Sequence, residues 1–263
     1  MSDFGVDVER RGEHVARLVL RNPARLNAVR LEMWEAIPDL VGRLATDRDV
    51  RVVVLTGHGA DAFASGADIA EFKTHRKDAK SAAAYEARTA RAFAALLGLE
   101  KPLVAVIHGV CIGGGLALAA SADIRLAADD AKLALPPARL GLGYHLAGVE
   151  RVVGLLGPSA AAEMFFTARQ YGADEALRIG LVNHVVPKAE LGAFADRYVD
   201  GIAANAPLTL RAAKRAIIEV QRDAAVRDTA AVAKMIAECF ESADYAEGMR
   251  AFLEKRRPRF RGE

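Results

Sequence analysis

Three consecutive glycines, Gly113-Gly114-Gly115, stand between an apolar β-branched run, Leu103-Val-Ala-Val-Ile-His108, and the small-residue stretch Leu116-Ala-Leu-Ala-Ala120. A buried strand that turns into a helix through glycines lets the main chain come very close to a ligand. The new helix also offers unpaired N–H groups at its positive end. That combination suits an anion, or an oxygen on its way to becoming one. A second small-residue bend, Phe63-Ala-Ser-Gly-Ala-Asp-Ile69, follows another apolar run, Val50-Arg-Val-Val-Val-Leu-Thr56. Two such bends can aim two main-chain N–H groups at one carbonyl oxygen, the geometry of an oxyanion hole. Each bend also has a plainer reading: a tight strand-to-helix packing turn at Gly113–Gly115, and an ordinary turn at Gly66 and Asp68.

Other chemistries fail on spacing. Gly141-Leu-Gly143-Tyr-His-Leu-Ala-Gly148 lacks the dinucleotide-binding pattern, no Lys-Ser/Thr pair follows a glycine loop, and no serine occupies a nucleophile elbow. The histidines are scattered without metal-ligand spacing. Cys111 and Cys239 are too few for a disulfide framework or a zinc site. A reducing, cytoplasmic setting without a bound metal is therefore expected.

The elements that must carry the bends follow from periodicity. Strands are predicted at Val15–Leu20, Val50–Thr56 and Leu103–His108, with weaker ones at Ile124–Ala128, Lys132–Leu135 and Val182–Val186. Met33, Ile37, Leu40, Val41 and Leu44 recur at helical spacing, and Pro38 predicts a kink among them. Ser81–Leu97 is an alanine-rich helix with Arg88 and Arg91 as an exposed stripe, and Asp174–Ile179 is a short helix closed by Gly180. From about Ala189 onward the strands stop, and Leu191–Ala204, Pro207–Arg222 and Val226–Phe240 all have helical patterns. The expected organisation is an α/β core over residues 1–188 and a helical region over 189–263, packed on the core or on other subunits.

Composition sets the boundaries. The chain has 263 residues, 52% hydrophobic and 27% charged, which is ordinary for a globular protein. Lys and Arg total 36 against 34 for Asp and Glu, a net charge of +2, so no electrostatic footprint for nucleic acid or an anionic membrane is present. The start, Met1-Ser2-Asp3-Phe4-Gly5, has no basic segment leading into an apolar one, so no signal peptide is expected. The uncharged stretch Pro102–Ala122 contains Gly109, Gly113, Gly114, Gly115, His108 and Ser121, and fits a buried strand, turn and helix better than a membrane span.

Taken together, Asn22-Pro-Ala-Arg-Leu-Asn-Ala28, Phe63–Ile69, Gly109-Val-Cys-Ile-Gly-Gly-Gly115, Ala122-Asp-Ile124, Ala176-Leu-Arg-Ile-Gly-Leu-Val-Asn183 and Glu247-Gly-Met-Arg-Ala-Phe-Leu-Glu-Lys-Arg256 resemble the crotonase (enoyl-CoA hydratase/isomerase) superfamily over essentially the whole chain. The resemblance implies a superhelix of ββα units with a C-terminal α-helical trimerisation region, and trimers that often pair into hexamers. It implies an acyl-CoA thioester as substrate, with no cofactor beyond the coenzyme A that the substrate carries. The N–H groups of Ala67 and Gly114 would hold the thioester oxygen as it takes enolate charge. Arg25, Leu26, Ala64, Ala67, Asp68 and Ile69 would border the coenzyme. Phe252 and Lys255 would approach it from the C-terminal region, by way of a neighbouring subunit, and the basic tail from Lys255 to Arg261 has a solvated reading beside a phosphate-binding one.

The resemblance also shows what is missing. The position of the family's first catalytic glutamate, three residues after the central glycine, holds Ala117; the second, after the proline of a Gln-Pro-Glu stretch, falls on Pro137 within Leu135-Pro-Pro-Ala-Arg139. Neither side chain moves a proton, and a positioned acid or base is worth roughly 10²–10⁴ in rate. The polar residues nearby are Arg139, Tyr144 and His145, with Arg139 expected in an ion pair. In related dienoyl-CoA isomerases and aryl-CoA dehalogenases the His145 position carries an acidic catalytic group. The stretch also resembles methylmalonyl-CoA decarboxylases, which share a proline at Pro137 and a tyrosine at Tyr144 but keep a glutamate where this chain has Ala117 and a histidine where it has Ala67. Similarity to them extends through Glu163-Met-Phe-Phe-Thr-Ala168 and Ser242–Met249. Three readings follow: hydratase or isomerase chemistry with His145 as replacement acid/base, for which an imidazole is suited; decarboxylation oriented by Tyr144; and a catalytically silent acyl-CoA-binding protein.

Overall fold

Each predicted strand is present in the computed structural model, which describes residues 4–263; the first three residues of the Met1–Gly5 start read for a signal peptide lie outside the described residues. β1 (Gly5–Arg11) and β2 (Val15–Arg21) form an antiparallel hairpin turned at Gly12, with φ of 62°. β1 is not predicted from sequence, because it is an edge strand whose Asp7, Glu9, Arg10 and Arg11 break any apolar run. α1 (Leu31–Thr46) buries Leu31, Met33, Trp34, Ile37, Val41 and Leu44 on one stripe. It continues through Pro38 without interruption, because that stripe holds it on both sides of the missing N–H.

A repeat follows. β3 (Val52–Gly57) and β4 (Ala62–Ala64) lead to α2 (Phe72–His75) and α3 (Ala79–Leu97); β5 (Leu103–Ile107) and β6 (Val110–Ile112) lead to α4 (Gly114–Ala120); β7 (Ile124–Ala128) and β8 (Lys132–Ala134) lead to α5 (Leu146–Thr167). α5 is broken at Gly157, where φ is 76°, and resumes at Pro158. β9 (Tyr171–Gly172), α6 (Ala173–Arg178) and β10 (His184–Val186) close the core before α7 (Leu191–Ala203), α8 (Pro207–Val220), α9 (Thr229–Glu241) and α10 (Ala243–Leu253). The long strands form one sheet in the order β1-β2-β3-β5-β7-β10, parallel from β2 onward, and the short ones a second sheet, β4-β6-β8-β9. This is the ββα superhelix that the resemblance implies.

The unbroken apolar character of β3 and β5 has a direct cause. Alternate residues of a strand face opposite sides. Val53, Leu55, Leu103 and Ala105 enter the core beneath α1, α3 and α4, whereas Val52, Val54, Val104 and Val106 meet Leu191, Ala195 and Val199 of α7. Both faces are covered, so no polar alternation survives.

The last helices gather at the N-terminal ends of the parallel strands. Lys214 on α8 donates to Lys101 O at 2.9 Å and pairs with Asp123 at 2.8 Å, and Asp123 accepts the Leu103 N–H at 2.7 Å. Arg51, just ahead of β3, donates to Phe260 O at 2.7 Å and Ala203 O at 3.1 Å. The two glycine bends lie at the other end, where β3 and β5 finish.

Candidate active site

The first bend is set by the loop between β2 and α1. Buried Asn27, with φ of 55°, donates through Nδ2 to Ala62 O at 2.8 Å and His58 O at 2.9 Å, and Asn22 Nδ2 donates to Ala28 O at 2.8 Å. These bonds bring Val29 alongside the bend. Its N–H donates to Gly66 O at 2.7 Å, and its carbonyl accepts from Asp68 N–H at 3.0 Å. In a parallel pairing of this kind Val29 uses both of its main-chain groups on the neighbours of Ala67, so the Ala67 N–H points the other way.

The second bend turns at Gly113, with φ of 56° and ψ of −120°, and its N–H donates to Ala134 O at 2.8 Å. Gly114 opens α4, so its N–H is one of the helix's unpaired donors. Gly115 lies flat on β4: a Cβ there would stand 2.3 Å from Ala64 O. Pairing of β4 with β6 brings the two bends together. A Cβ on Gly66 would lie 3.8 Å from Gly114 N, and a Cβ on Gly114 would lie 3.4 Å from Ala67 N and 3.1 Å from Cζ2 of Trp34. Among the described residues neither the Ala67 nor the Gly114 N–H has a hydrogen-bond acceptor. Two free donors thus share one small space beside an indole edge.

Around them the acid/base groups are sparse. Ala117 is half-buried on the same face of α4 as Gly114, one turn on, and half-buried Pro137 starts a 3-10 turn ending at Leu140. The expectation that Arg139 is ion-paired is not met; it is exposed, with no ionic partner among the described residues, because that turn carries it into solvent. Tyr144 is half-buried, its ring edge-on to Phe165 at 5.0 Å, and burial pushes its phenol up to about 12, so it is a neutral donor. His145 stands at the N-terminus of α5 and places Nε2 2.7 Å from Oε2 of Glu86 on α3. Nothing in the sequence singles out Glu86; only the packing of α3 toward the start of α5 makes it a partner.

Of the residues expected along the coenzyme, Arg25, Leu26 and Ile69 are exposed next to the first bend. Asp68 is buried; its Oδ1 accepts the Ala70 N–H at 3.0 Å and lies 3.6 Å from Arg25. Ala64 is fully buried under Gly115, so its side chain supports the bend from beneath and does not front an open groove. Phe252 is 81% exposed on α10, and Lys255 follows it with φ of 54°. With α10 and the tail anchored at the opposite end of the strands, the chain does not bring these two to its own bends. Arg256 is taken up by Glu247 at 2.6 Å and Glu254 at 2.5 Å, so within the motif these three charged side chains brace one another.

Sequence reasoning also missed the wall beyond Gly114. Trp34 packs against Phe93 with the rings tilted and their centres 5.4 Å apart, and Tyr85 packs beside it, with Arg76 lying 4.3 Å over the Tyr85 ring. Cavities of about 220 Å³ beneath α7 and about 250 Å³ between α3 and α8 touch neither bend. Among the described residues no helix is long and apolar enough to cross a membrane, and no cluster of His, Cys, Asp or Glu could hold a metal ion.

A ββα superhelix with two glycine-lined bends facing each other is the frame of the crotonase superfamily. The family model described as Enoyl-CoA hydratase/isomerase matches residues 10–263, and the chain belongs to that family of enzymes. It is 35% identical to the short-chain-enoyl-CoA hydratase of Clostridium acetobutylicum over 96% of this chain and 95% of that one. It is likewise 35% identical to the crotonyl-CoA hydratase of Syntrophomonas wolfei, over 94% and 95% of the two chains. Among solved structures, an enoyl-CoA hydratase/carnithine racemase from Magnetospirillum magneticum superposes with a TM-score of 0.93 at 35% identity, covering 100% of this chain and 97% of the other.

Proposed function

We propose that the protein is an acyl-CoA-processing enzyme that stabilises a thioester enolate between the N–H groups of Ala67 and Gly114. What supports the reading is two amides without acceptors among the described residues, from separate bends that lie against each other. An oxyanion held by preorganised donors in such a place gains roughly 10²–10³ in rate per donor. The reaction is hydratase or isomerase chemistry run with non-standard acid/base groups, because Ala117 and Pro137 carry no proton. His145, tied to Glu86, acts as acid/base, and the neutral phenol of Tyr144 orients the substrate.

Coenzyme A runs along Arg25, Leu26 and Ile69, over the support given by Ala64 and Asp68. Phe252 and Lys255 reach it from a second subunit of a homotrimer or dimer of trimers. Supporting this, Ile217, Val220, Phe240, Phe252 and Leu253 on the C-terminal helices are 61–81% exposed in the single chain, an apolar surface that calls for a partner. The enzyme works in the cytoplasm on its thioester alone.

A second reading is favoured by the same missing carboxylates. Loss of CO₂ from a malonyl-type thioester generates the enolate without a base, its carbon–carbon bond electrons passing to the carbonyl, with Tyr144 holding the carboxylate. A panel of enoyl-, malonyl- and methylmalonyl-CoA thioesters, followed by product mass, separates the two. Turnover lost in Tyr144→Phe or His145→Ala with thioester binding unchanged supports the enzyme. Tight binding of every thioester with turnover of none identifies a silent acyl-CoA binder.

A further inference from the structure

Seven buried side-chain polar atoms lack a hydrogen-bond partner among the described residues, and three of them, Trp34 Nε1, Tyr85 Oη and Arg76 Nε, form one contiguous series leading away from Gly114. Trp34 begins it: Cζ2 of the indole is 3.1 Å from the Cβ position of Gly114, and Nε1 lies on the same edge of the ring. Tyr85 is next, its hydroxyl beside the indole without a well-formed hydrogen bond to it. These two side chains are 1% and 2% exposed. Arg76 completes the series, its guanidinium 4.3 Å over the Tyr85 ring and 4.6 Å over Phe72, with no carboxylate in ion-pair range among the described residues.

Buried donor atoms without partners are costly, and a run of three in one place calls for a ligand or another explanation. A guanidinium set in the corner of two edge-on rings, yet left without a counter-ion among the described residues, is arranged for an incoming anion. We propose that the series Trp34–Tyr85–Arg76 is the acyl-arm subsite, and that it selects thioesters whose acyl group ends in a carboxylate. Arg76 pairs with that carboxylate and the Tyr85 hydroxyl donates to one of its oxygens, while the methylenes of the arm lie along the Trp34 indole. This rests on the thioester carbonyl lying at Ala67 and Gly114, which puts the acyl group, and not the coenzyme, against Trp34. Burial keeps the Tyr85 phenol protonated, its pKa raised to about 12, so it serves as a donor throughout the working range.

Trp34 is the chain's single tryptophan, so its fluorescence reports binding at the bend without any turnover. Glutaryl-CoA and pentanoyl-CoA have equal acyl length and differ in the terminal carboxylate. Titration of the full-length protein is expected to show glutaryl-CoA bound at least 10-fold more tightly. Hydrogen bonds to charged groups predict that Arg76→Met lowers this ratio by about 10- to 100-fold, with Tyr85→Phe lowering it less. The same pair of acyl groups on pantetheine, which lacks the nucleotide phosphates, should keep the preference.

A wild-type ratio of one, or a ratio unmoved in Arg76→Met, overturns the proposal. So does a loss in Arg76→Met that is equal for both CoA thioesters and vanishes with pantetheine, since Arg76 would then serve the coenzyme's phosphates. If calorimetry detects no thioester binding at all, the acyl-CoA reading itself falls with it.

Discussion

Oε2 of Glu86 lies 2.7 Å from Nε2 of His145, so helix α3 supplies a carboxylate to the imidazole that neighbours Tyr144. A carboxylate partner fixes the ring's orientation and which of its nitrogens faces the site. His145→Gln should lower kcat by roughly 10²–10⁴, the worth of a positioned acid or base. Glu86→Ala should lower it less, with Glu86→Asp recovering part of the loss. Steady-state kinetics on any turned-over thioester decide the point; unchanged kcat in His145→Gln would remove the imidazole from the reaction.

Gly114 offers a cleaner test of the amide pair. Proline is well tolerated at a first helical position and removes the N–H, whereas alanine keeps it; both place a Cβ against Trp34, so alanine controls for that contact. Gly114→Pro is expected to lose about 10²–10³ in kcat, and Gly114→Ala markedly less. Circular dichroism should show both variants folded. Equal activity in the two would mean that this N–H plays no part.

Gly115 should behave differently, although it is the adjacent residue. A Cβ there would meet Ala64 O at 2.3 Å and the Ala64 Cβ at 2.8 Å, both on strand β4. Overpacking of this kind costs about 1–3 kcal/mol, more than the roughly 1 kcal/mol that alanine gains over glycine in a helix. Gly115→Ala should therefore lower the urea midpoint, while a midpoint at or above that of the parent would show that β4 yields easily.

These three glycines show how far a sequence can be read. Their presence after a buried strand marks a bend, but they do three separate jobs: the Gly113 backbone turns, Gly114 stays open, and Gly115 lies against β4. Strands β4 and β6 have three residues each, too few for any periodicity, and yet their pairing is what unites Ala67 with Gly114. Glu86, Tyr85 and Trp34 were illegible for a related reason. Each sits in an amphipathic helix where its residue type is ordinary, and only tertiary packing gives it a neighbour. Conversely Phe252 and Lys255, marked by their motif, are carried by α10 to the far end of the strands, which no local pattern could reveal.

Acid should loosen the C-terminal region. Arg256 and Arg250, helped by the Arg259 N–H, hold the Glu247 carboxyl well below its ordinary value of 4.5, and the Asp228 N–H with Arg222 lowers Glu219. A folded-state value below the unfolded one means that the unfolded chain takes up the proton first as pH falls. The stabilisation is thus complete above about 4.5 and is lost progressively below it. Urea midpoints measured at pH 6 and pH 3 should fall for the parent and fall less for Glu247→Gln; identical slopes would show that this carboxylate contributes nothing.

Phe252 is expected to matter for assembly and for ligand together. Burying its ring against a second subunit would be worth about 2 kcal/mol per copy. Phe252→Asp should shift sedimentation toward the monomer and raise KM for CoA thioesters by about 10-fold, the latter recovering at high protein concentration. A variant that stays assembled with an unchanged KM would place the ring outside the interface.

Because Ala67 and Gly114 belong to segments distant in the chain and are brought together by the β4–β6 ladder, the two amides stand side by side only once the second sheet has formed. Contacts of such long range form late. A refolding chain should therefore recover its helical circular dichroism first and its capacity to hold a thioester afterwards, the lag marking the docking of the second sheet onto the first.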